Sequence, residues 1–282
     1  MKTSLLLPFA LLLAACGDNL THPPDRDAGG SSTSGTGGSA FGCLPNLDGK
    51  IDAAELGAAF DVAVSYVISP PGVDRTVLLT QKMDADGDLG WDFPDVAGDK
   101  SLVLTASKVA GKWYASSFPT GDFASPVDTT GELDGIYAST DKAISLLGVA
   151  SIVEKPKKGK TLLVYETPID IYRFPLAPGS SWTSTGNISK GMINGLAYAS
   201  TDTYFVTDAA IGRLTLPDLK FQQVHQIQTQ VTLDPSVGGA PQTTWQVGFV
   251  SECFGEVARA TSHIGEKAAN FTTAAEVRRL GQ

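Results

Sequence analysis

The alternating stretch LKFQQVHQIQTQVTL, residues 219–233, constrains the fold of this chain more than any other feature. One parity carries polar side chains, namely Lys220, Gln222, Gln226, Gln228 and Gln230. The other parity carries Phe221, His225, Ile227, Val231 and Leu233. Because successive side chains of an extended backbone point to opposite faces, this pattern predicts a β-strand with one buried face.

The segment that follows repeats the pattern. After a loop from Pro235 to Pro241, the run TTWQVGFVSECF places Trp245, Val247, Phe249 and Cys253 on one side. Two alternating runs joined by a Gly- and Pro-rich loop predict an antiparallel hairpin. Cys253 is then expected to point toward the core.

Similar apolar runs recur along the chain, separated by turn-forming residues such as Pro70-Pro71-Gly72 and Ala177-Pro178-Gly179. The runs are FDVAVSYVI (60–68), RTVLLT (75–80), SLVLTA (101–106), KWYASSF (112–118), ISLLGVASIV (144–153), TLLVYE (161–166), IDIYRF (169–174) and DTYFVT (202–207). Together they predict a mainly β fold of about ten strands, arranged as an antiparallel sandwich, barrel or curved sheet.

Helix signals occur only near the two ends of residues 43–282, which we call the body. Asp52 with Glu55, and Thr273 with Glu276, have capping-box spacing, in which each side chain bonds the backbone N–H of the other residue. The sequence therefore predicts short helices near the start and end of the body. A subdomain boundary near residue 130 is left open.

The first fifteen residues have the order of features found in a secretory signal peptide. Lys2 precedes a largely apolar run over residues 5–13, and the small residues Ala14 and Ala15 stand before Cys16. The run is shorter than the roughly 20 residues that span a bilayer. We expect residues 1–15 to be removed.

The residues Leu13-Ala14-Ala15-Cys16 resemble the lipobox of bacterial lipoproteins, and the layout of the body resembles that of uncharacterised predicted lipoproteins. The resemblance implies cleavage before Cys16, a diacylglyceryl group on its sulfur and a further acyl chain, such as palmitate, on the new amino terminus. Several acyl chains make a stable membrane anchor. In that family an aspartate directly after the cysteine can retain the protein in the inner membrane, so Gly17 favours the outer membrane. The alternative is an ordinary signal peptide followed by an unrelated cysteine.

Residues 16–42 are predicted to form a lipidated, disordered tether ahead of a β-rich body at residues 43–282. Every residue from Gly29 to Ser39 is Gly, Ser or Thr, and such a segment cannot bury enough apolar surface to fold. The formal net charge of −9 argues against a nucleic-acid partner. Beyond the membrane, the expected partner is a protein, glycan or lipid of the cell envelope.

The chain has three cysteines, and if Cys16 carries lipid, Cys43 and Cys253 remain as a pair. Disulfides form and persist in oxidising envelope compartments. We therefore predict a disulfide that joins the start of the body to one of its last strands. Two separate buried thiols are the alternative.

The stretch MDADGDLGWDFPD resembles an EF-hand calcium loop. Its aspartates at loop positions 1, 3, 5, 9 and 12 are Asp84, Asp86, Asp88, Asp92 and Asp95, and calcium binds carboxylate oxygens in this arrangement. The stretch departs from the family where Leu89 replaces the glycine of position 6 and where an aspartate replaces the bidentate glutamate. A hairpin turn explains the same residues. The stretch LPNLDGKIDAAEL also resembles a calcium loop of this kind, but it lacks the residue that would provide the first ligand.

Residues suited to catalysis are few. His22 lies in the tether and His263 in a late loop, while His225 lies on the apolar side of a strand, where a structural role is favoured over that of a general base. The carboxylates that could pair in a cleft are Glu166, Glu252 and Glu256. We predict no catalytic residue and no required cofactor, with calcium as the one candidate.

These observations predict an outer-membrane-anchored lipoprotein whose body is a non-catalytic binding or scaffolding domain. Three alternatives stay open. The body could carry a hydrophobic ligand in a cavity of the curved sheet, or be an adhesion module stabilised by calcium, or be a hydrolase. A basic run, KPKKGK at residues 155–160, could contact anionic headgroups, although such turns also keep sheet edges apart in solution.

Overall fold

The computed structural model of this chain describes residues 43–56, 60–83 and 87–281. The predicted signal peptide, the lipidation site Cys16 and the tether therefore lie outside the described residues. Asp84 and Asp86 of the calcium hypothesis lie outside them as well. No helix within the described ranges is both long enough and apolar enough to cross a membrane.

The described residues form sixteen strands and two short 3₁₀ turns, Ala53–Glu55 and Ala115–Ser117. The strands are β1 (Ala63–Ile68), β2 (Arg75–Thr76), β3 (Lys82–Met83), β4 (Leu89–Asp92), β5 (Lys100–Thr105), β6 (Ser107–Lys108), β7 (Phe123–Pro126), β8 (Leu133–Ser139), β9 (Ala143–Ser151), β10 (Leu162–Arg173), β11 (Ser181–Ile193), β12 (Leu196–Thr215), β13 (Lys220–Pro235), β14 (Gln242–Ser251), β15 (Gly255–Ser262) and β16 (Thr273–Leu280).

These strands form one nearly closed, barrel-like sheet. Its order is β5-β1-β16-β15-β14-β13-β12-β11-β10-β9-β8-β7-β6, and neighbours along this path pair antiparallel. The two ends of the order, β5 and β6, are separated in the chain by Ala106 alone. The mainly β prediction is confirmed, with more strands than the expected ten.

The predicted hairpin is the β13–β14 pair, in which His225 lies opposite Val250 and Val231 opposite Thr244. The alternation in β13 is interrupted at Gln223, whose φ is 49°. Phe221 and Val231, expected on one side, therefore pack in different apolar clusters. Because a bulge inserts one extra residue, the side chains beyond it point to the opposite faces from those expected.

Two apolar clusters lie on opposite faces of the sheet. The inner cluster gathers residues from β7 through β14, including Phe123, Tyr204 and Ile227, which meet because the sheet curves around them. The outer cluster joins Phe249 and other outward residues to a segment that folds over the sheet. We call this segment the arm, which comprises residues 77–83 and 87–96.

The segment from Cys43 to Leu56 lies across one end of the sheet. Ile51 and Leu176 exchange two backbone hydrogen bonds of 2.9 and 2.8 Å, and the side chains of Ile51 and Leu56 are buried in the inner cluster. The predicted disulfide is confirmed, since Cys43 is bonded to Cys253 with a Cα–Cα distance of 5.6 Å. The start of the body is thus fixed to the β14–β15 turn.

The predicted helices differ from the structure. Near the start, only one 3₁₀ turn forms, in which Glu55 accepts a hydrogen bond of 2.9 Å from the backbone N–H of Asp52. Near the end, Thr273–Leu280 is not a helix but strand β16, which pairs with β15 on one side and with β1 and β2 on the other. Pairing on both edges overrides the local capping signal.

Four of the predicted strand runs need correction as well. The run KWYASSF forms a turn and a 3₁₀ turn instead of a strand, whereas TLLVYE and IDIYRF belong to the single strand β10. The run RTVLLT is a strand only at Arg75–Thr76. The turn near residue 130 joins β7 to β8, two paired strands of the same sheet.

Candidate functional site

The space inside the curved sheet is small. The inner cavity measures about 20 Å³ and is lined by aromatic and charged side chains, among them Tyr137, Tyr172, Tyr204, Glu256 and Arg259. This volume holds about one water molecule. An acyl chain does not fit there.

The inner charges have structural partners. The Glu256 Oε2 atom accepts a hydrogen bond of 2.9 Å from Arg259 Nε and a second one from Arg259 Nη2. The Tyr66 hydroxyl donates to the backbone oxygen of Glu256 at 2.9 Å. Burial raises the pKa of Glu256, and the Arg259 guanidinium opposes this shift. Both residues of this pair lie on β15, and the Tyr66 hydroxyl links that strand to β1.

A larger space lies on the outside, between the arm and the sheet. This groove measures about 670 Å³, within the range of ligand-binding pockets. Its floor is formed by Val77, Trp91, Phe93 and Val277. The ring centroids of Trp91 and Phe93 lie 5.0 and 5.1 Å from that of Phe249, in edge-on contacts. Aromatic contacts of this geometry stabilise the floor.

The arm is fastened to the sheet by backbone and amide hydrogen bonds. Strand β4 pairs parallel with the end of β12, Gly90 opposite Arg213. The Leu79 carbonyl accepts hydrogen bonds from Gln226 Nε2 at 2.7 Å and from Trp91 Nε1 at 3.0 Å. Gln81 Nε2 donates to the carbonyl of Ile211 at 2.8 Å. These bonds fix the wall of the groove.

Positive side chains line one part of the groove, and one buried carboxylate joins two of them. Asp99 accepts hydrogen bonds from Arg75 Nη2 at 2.7 Å and from Arg279 Nη1 at 2.9 Å. Arg279 Nη2 also donates to Asp95 at 2.6 Å. The side chains of Arg279 and Asp99 are 2% and 3% exposed, whereas that of Asp95 is 79% exposed. Lys82 and Arg213 are further cations of the lining.

The aspartates of the calcium hypothesis are distributed along the arm. Asp88 pairs with Arg213, Asp95 pairs with Arg279, and Asp92 is exposed in β4. Within the described ranges, no group of three His, Cys, Asp or Glu side chains is placed to hold a metal ion. Calcium binding stays a prediction, since Asp84 and Asp86 lie outside those ranges.

The second calcium-like stretch is a turn whose polar groups bond one another and the sheet. Glu252 Oε2 accepts from the backbone N–H groups of Asn46 and Leu47 at 2.7 and 3.1 Å. Asn46 Nδ2 donates to Glu55 Oε1 at 2.7 Å. Burial raises the pKa of Glu55, a shift that the backbone of Asp52 opposes. These carboxylates hold the segment across the end of the sheet.

The residues considered for catalysis lie apart. His225 is 0% exposed, and its Nδ1 atom lies 2.7 Å from Asp208 Oδ2, which agrees with a structural histidine. His263 Nε2 contacts Asp74 Oδ1 at 2.9 Å on the surface. Glu166 is exposed, in contrast to the buried Glu252 and Glu256.

The basic run at residues 155–160 forms an exposed loop between β9 and β10. Lys158 pairs with Glu132 at 2.9 Å, and the Lys160 ammonium lies 5.1 Å from the centre of the Trp113 ring. Two of its lysines thus have partners on neighbouring turns.

Sequence reasoning missed the groove. One signal for it was present, because Trp91 and Phe93 alternate with Asp92 in the stretch GWDF, the pattern of a short half-buried strand. No protein-family model, curated protein or solved structure matches this chain. The geometry of the groove is therefore the basis for a functional proposal.

Proposed function

We propose that this protein is a lipoprotein anchored in the outer membrane through acyl chains on Cys16, and that its β-rich body is a non-catalytic binding domain. The proposed binding site is the groove between the arm and the sheet. In this proposal the tether lets the body reach a ligand away from the bilayer surface, while the anchor keeps it in the envelope.

The single observation that carries the binding role is the groove itself. A space of about 670 Å³ with an apolar floor and both charged and polar side chains in its lining has the size of a small-molecule site. Its rim includes Leu78 and Met83, which are 42% and 70% exposed. Exposed apolar side chains beside a concave site favour contact with a ligand.

Two further features support binding over hydrolysis. The full burial of His225 keeps substrate from its ring, and general-base catalysis requires hydrogen-bond reach to a substrate proton. Glu252 and Glu256 hold backbone N–H groups and a guanidinium, respectively. Replacing either carboxylate would disturb the fold, which favours a structural role over a catalytic one.

The anchor is tested by mass spectrometry of the amino-terminal peptide from envelope fractions. We expect a triacylated Cys16 at the new amino terminus, with the protein recovered in the outer-membrane fraction. The variant Cys16→Ser should lose both the acyl mass and the fractionation. An unmodified Cys16 thiol on released protein would refute the anchor.

The groove is tested with Nile red, an uncharged apolar dye, on the full chain carrying Cys16→Ser and purified without detergent. We expect dye binding that Leu78→Asp weakens at least ten-fold, because a charge would stand at the apolar margin. Val103→Asp is the matched control, since Val103 is also exposed, at 61%, but lies outside the groove. Equal loss in both variants, or no dye binding, would contradict the proposal.

A further inference from the structure

We propose that the groove binds an acyl chain ending in a carboxylate, and that the Asp95 side chain occupies the carboxylate position in the free protein. This inference rests on the proposed role of the groove as a binding site and adds the chemical class of its ligand.

Three of the four cations in the lining are paired with carboxylates, Arg75 and Arg279 with Asp99 and Asp95, and Arg213 with Asp88. The cations of the lining are Arg75, Lys82, Arg213 and Arg279, and its acids are Asp92 and Asp99. Within the described part of the chain, Lys82 has no carboxylate partner. An anionic group entering the groove would meet the Lys82 ammonium and would compete with Asp95 for Arg279.

Asp95 has the exposure expected of a group that can be displaced. Its side chain is 79% exposed, yet the guanidinium that it contacts is 2% exposed. The exposure of Asp95 to water limits the strength of this pair, so another carboxylate can displace Asp95 from Arg279. Asp99 would still hold the Nη1 side of Arg279, and Arg279 is itself part of the groove lining.

The contact between Asp95 and Arg279 also shows which anion fits. Asp95 Oδ1 lies 2.6 Å from Arg279 Nη2, so a carboxylate oxygen is accommodated at this point. A contact of this length is the ordinary geometry of a carboxylate bonded to a guanidinium. A ligand carboxylate can take the same position.

The apolar floor accounts for the rest of the ligand. Val77, Trp91, Phe93 and Val277 line the same space as Arg279. A methylene chain extending from a carboxylate at Arg279 would lie on these side chains and would be removed from contact with water. Each buried methylene adds to affinity, so an acyl carboxylate uses both parts of the groove where a small anion uses one.

The test is displacement of Nile red by dodecanoate and by dodecanol at pH 8, using the full chain with Cys16→Ser. We expect dodecanoate to displace the dye at a concentration at least ten-fold lower than dodecanol. Asp95→Asn should lower the dodecanoate concentration about two- to five-fold further, because it removes a weak internal competitor. Lys82→Gln should raise it and reduce its dependence on salt.

The matched control is Asp141→Asn, which removes the same charge from an exposed turn outside the groove. It should leave both displacement curves unchanged. If dodecanol is as effective as dodecanoate and Asp95→Asn has no effect, the carboxylate inference is wrong while groove binding stands. If Nile red itself does not bind, the proposed function fails, and this inference fails with it.

Discussion

Some carboxylates inside the sheet are buried in surroundings that favour their neutral, protonated form. Asp202 is 3% exposed, and its Oδ2 atom accepts a hydrogen bond of 2.7 Å from the Tyr165 hydroxyl. Its Oδ1 atom has no hydrogen-bond partner within the described part of the chain. Burial raises the pKa of Asp202, and the Tyr165 hydroxyl opposes the shift. The folded state therefore favours the protonated carboxyl.

This raised pKa predicts how Asp202→Asn changes stability with pH. Below the unfolded pKa of about 3.9, the carboxyl is protonated in both states. As the pH rises toward and through the raised folded pKa, the original protein loses stability, because its unfolded state ionises more easily. Asn does not titrate, so the unfolding free energy of the variant relative to the original protein should increase from pH 4 to pH 7.5.

Urea unfolding at several pH values measures this difference. Asp234→Asn is the control, since Asp234 is exposed on the next strand, and its difference from the original protein should change less over the same range. A difference for Asp202→Asn that stays flat from pH 4 to pH 7.5 would show that Asp202 is ionised in the fold as easily as in water.

At the level of elements, the arm depends on close backbone approaches to β12, of which the one at Gly90 is the tighter. A Cβ atom added to Gly90 would lie 2.2 Å from the backbone oxygen of Arg213, on the strand with which β4 pairs. We predict that Gly90→Ala forces β4 away from β12. Overpacking of this kind lowers stability by about 1–3 kcal/mol, and the loss should be concentrated in the arm.

Hydrogen exchange measures that loss segment by segment. Amides of residues 89–93 should exchange faster in Gly90→Ala, while those of β8 and β9 stay protected. Gly239→Ala is the matched control, because its added Cβ would meet only the Pro235 ring, at 3.3 Å. Unchanged protection of the arm in Gly90→Ala would mean that the pairing with β12 does not hold it.

The elements that could be predicted from sequence are those whose burial follows the strand period. Strands β1, β5, β9 and β13 have apolar runs with clear ends, so their positions were predicted. Strand β11 (SWTSTGNISKGMI) is rich in Ser, Thr and Gly, although alternate residues are buried. Small polar side chains at buried positions give little hydropathy signal, and this strand was missed.

Long-range contacts explain why strand β16 and the groove were not predicted. Arg278 and Arg279 look like the basic last turn of a helix, but in β16 both are buried, Arg279 against Asp95 and Asp99, which lie far back in the chain. The groove was missed for the same reason, since it forms where the arm meets β12 and β16. No local pattern reports a contact across such a separation.

At the level of the whole molecule, the two ends of the body meet. Strand β1 pairs with β16, the first long strand with the last, and the segment before β1 is bonded to the β14–β15 turn through Cys43 and Cys253. The disulfide thus reinforces a closure that the sheet already makes. The ring of strands depends on a pairing between the start and the end of the chain, which carries a large loop-closure entropy.

The disulfide is therefore expected to contribute strongly to global stability. A bridge with a sequence separation of 210 residues restricts the unfolded chain by about 5 kcal/mol in the chain-entropy model. The double variant Cys43→Ser/Cys253→Ser should lose up to that amount in equilibrium urea unfolding, with most strands kept. The original protein after reduction should unfold at the same urea concentration as the double variant, because both lack the same constraint. If the double variant is as stable as the oxidised protein, closure of the sheet by β1 and β16 is sufficient, and the bridge adds no stability to the body.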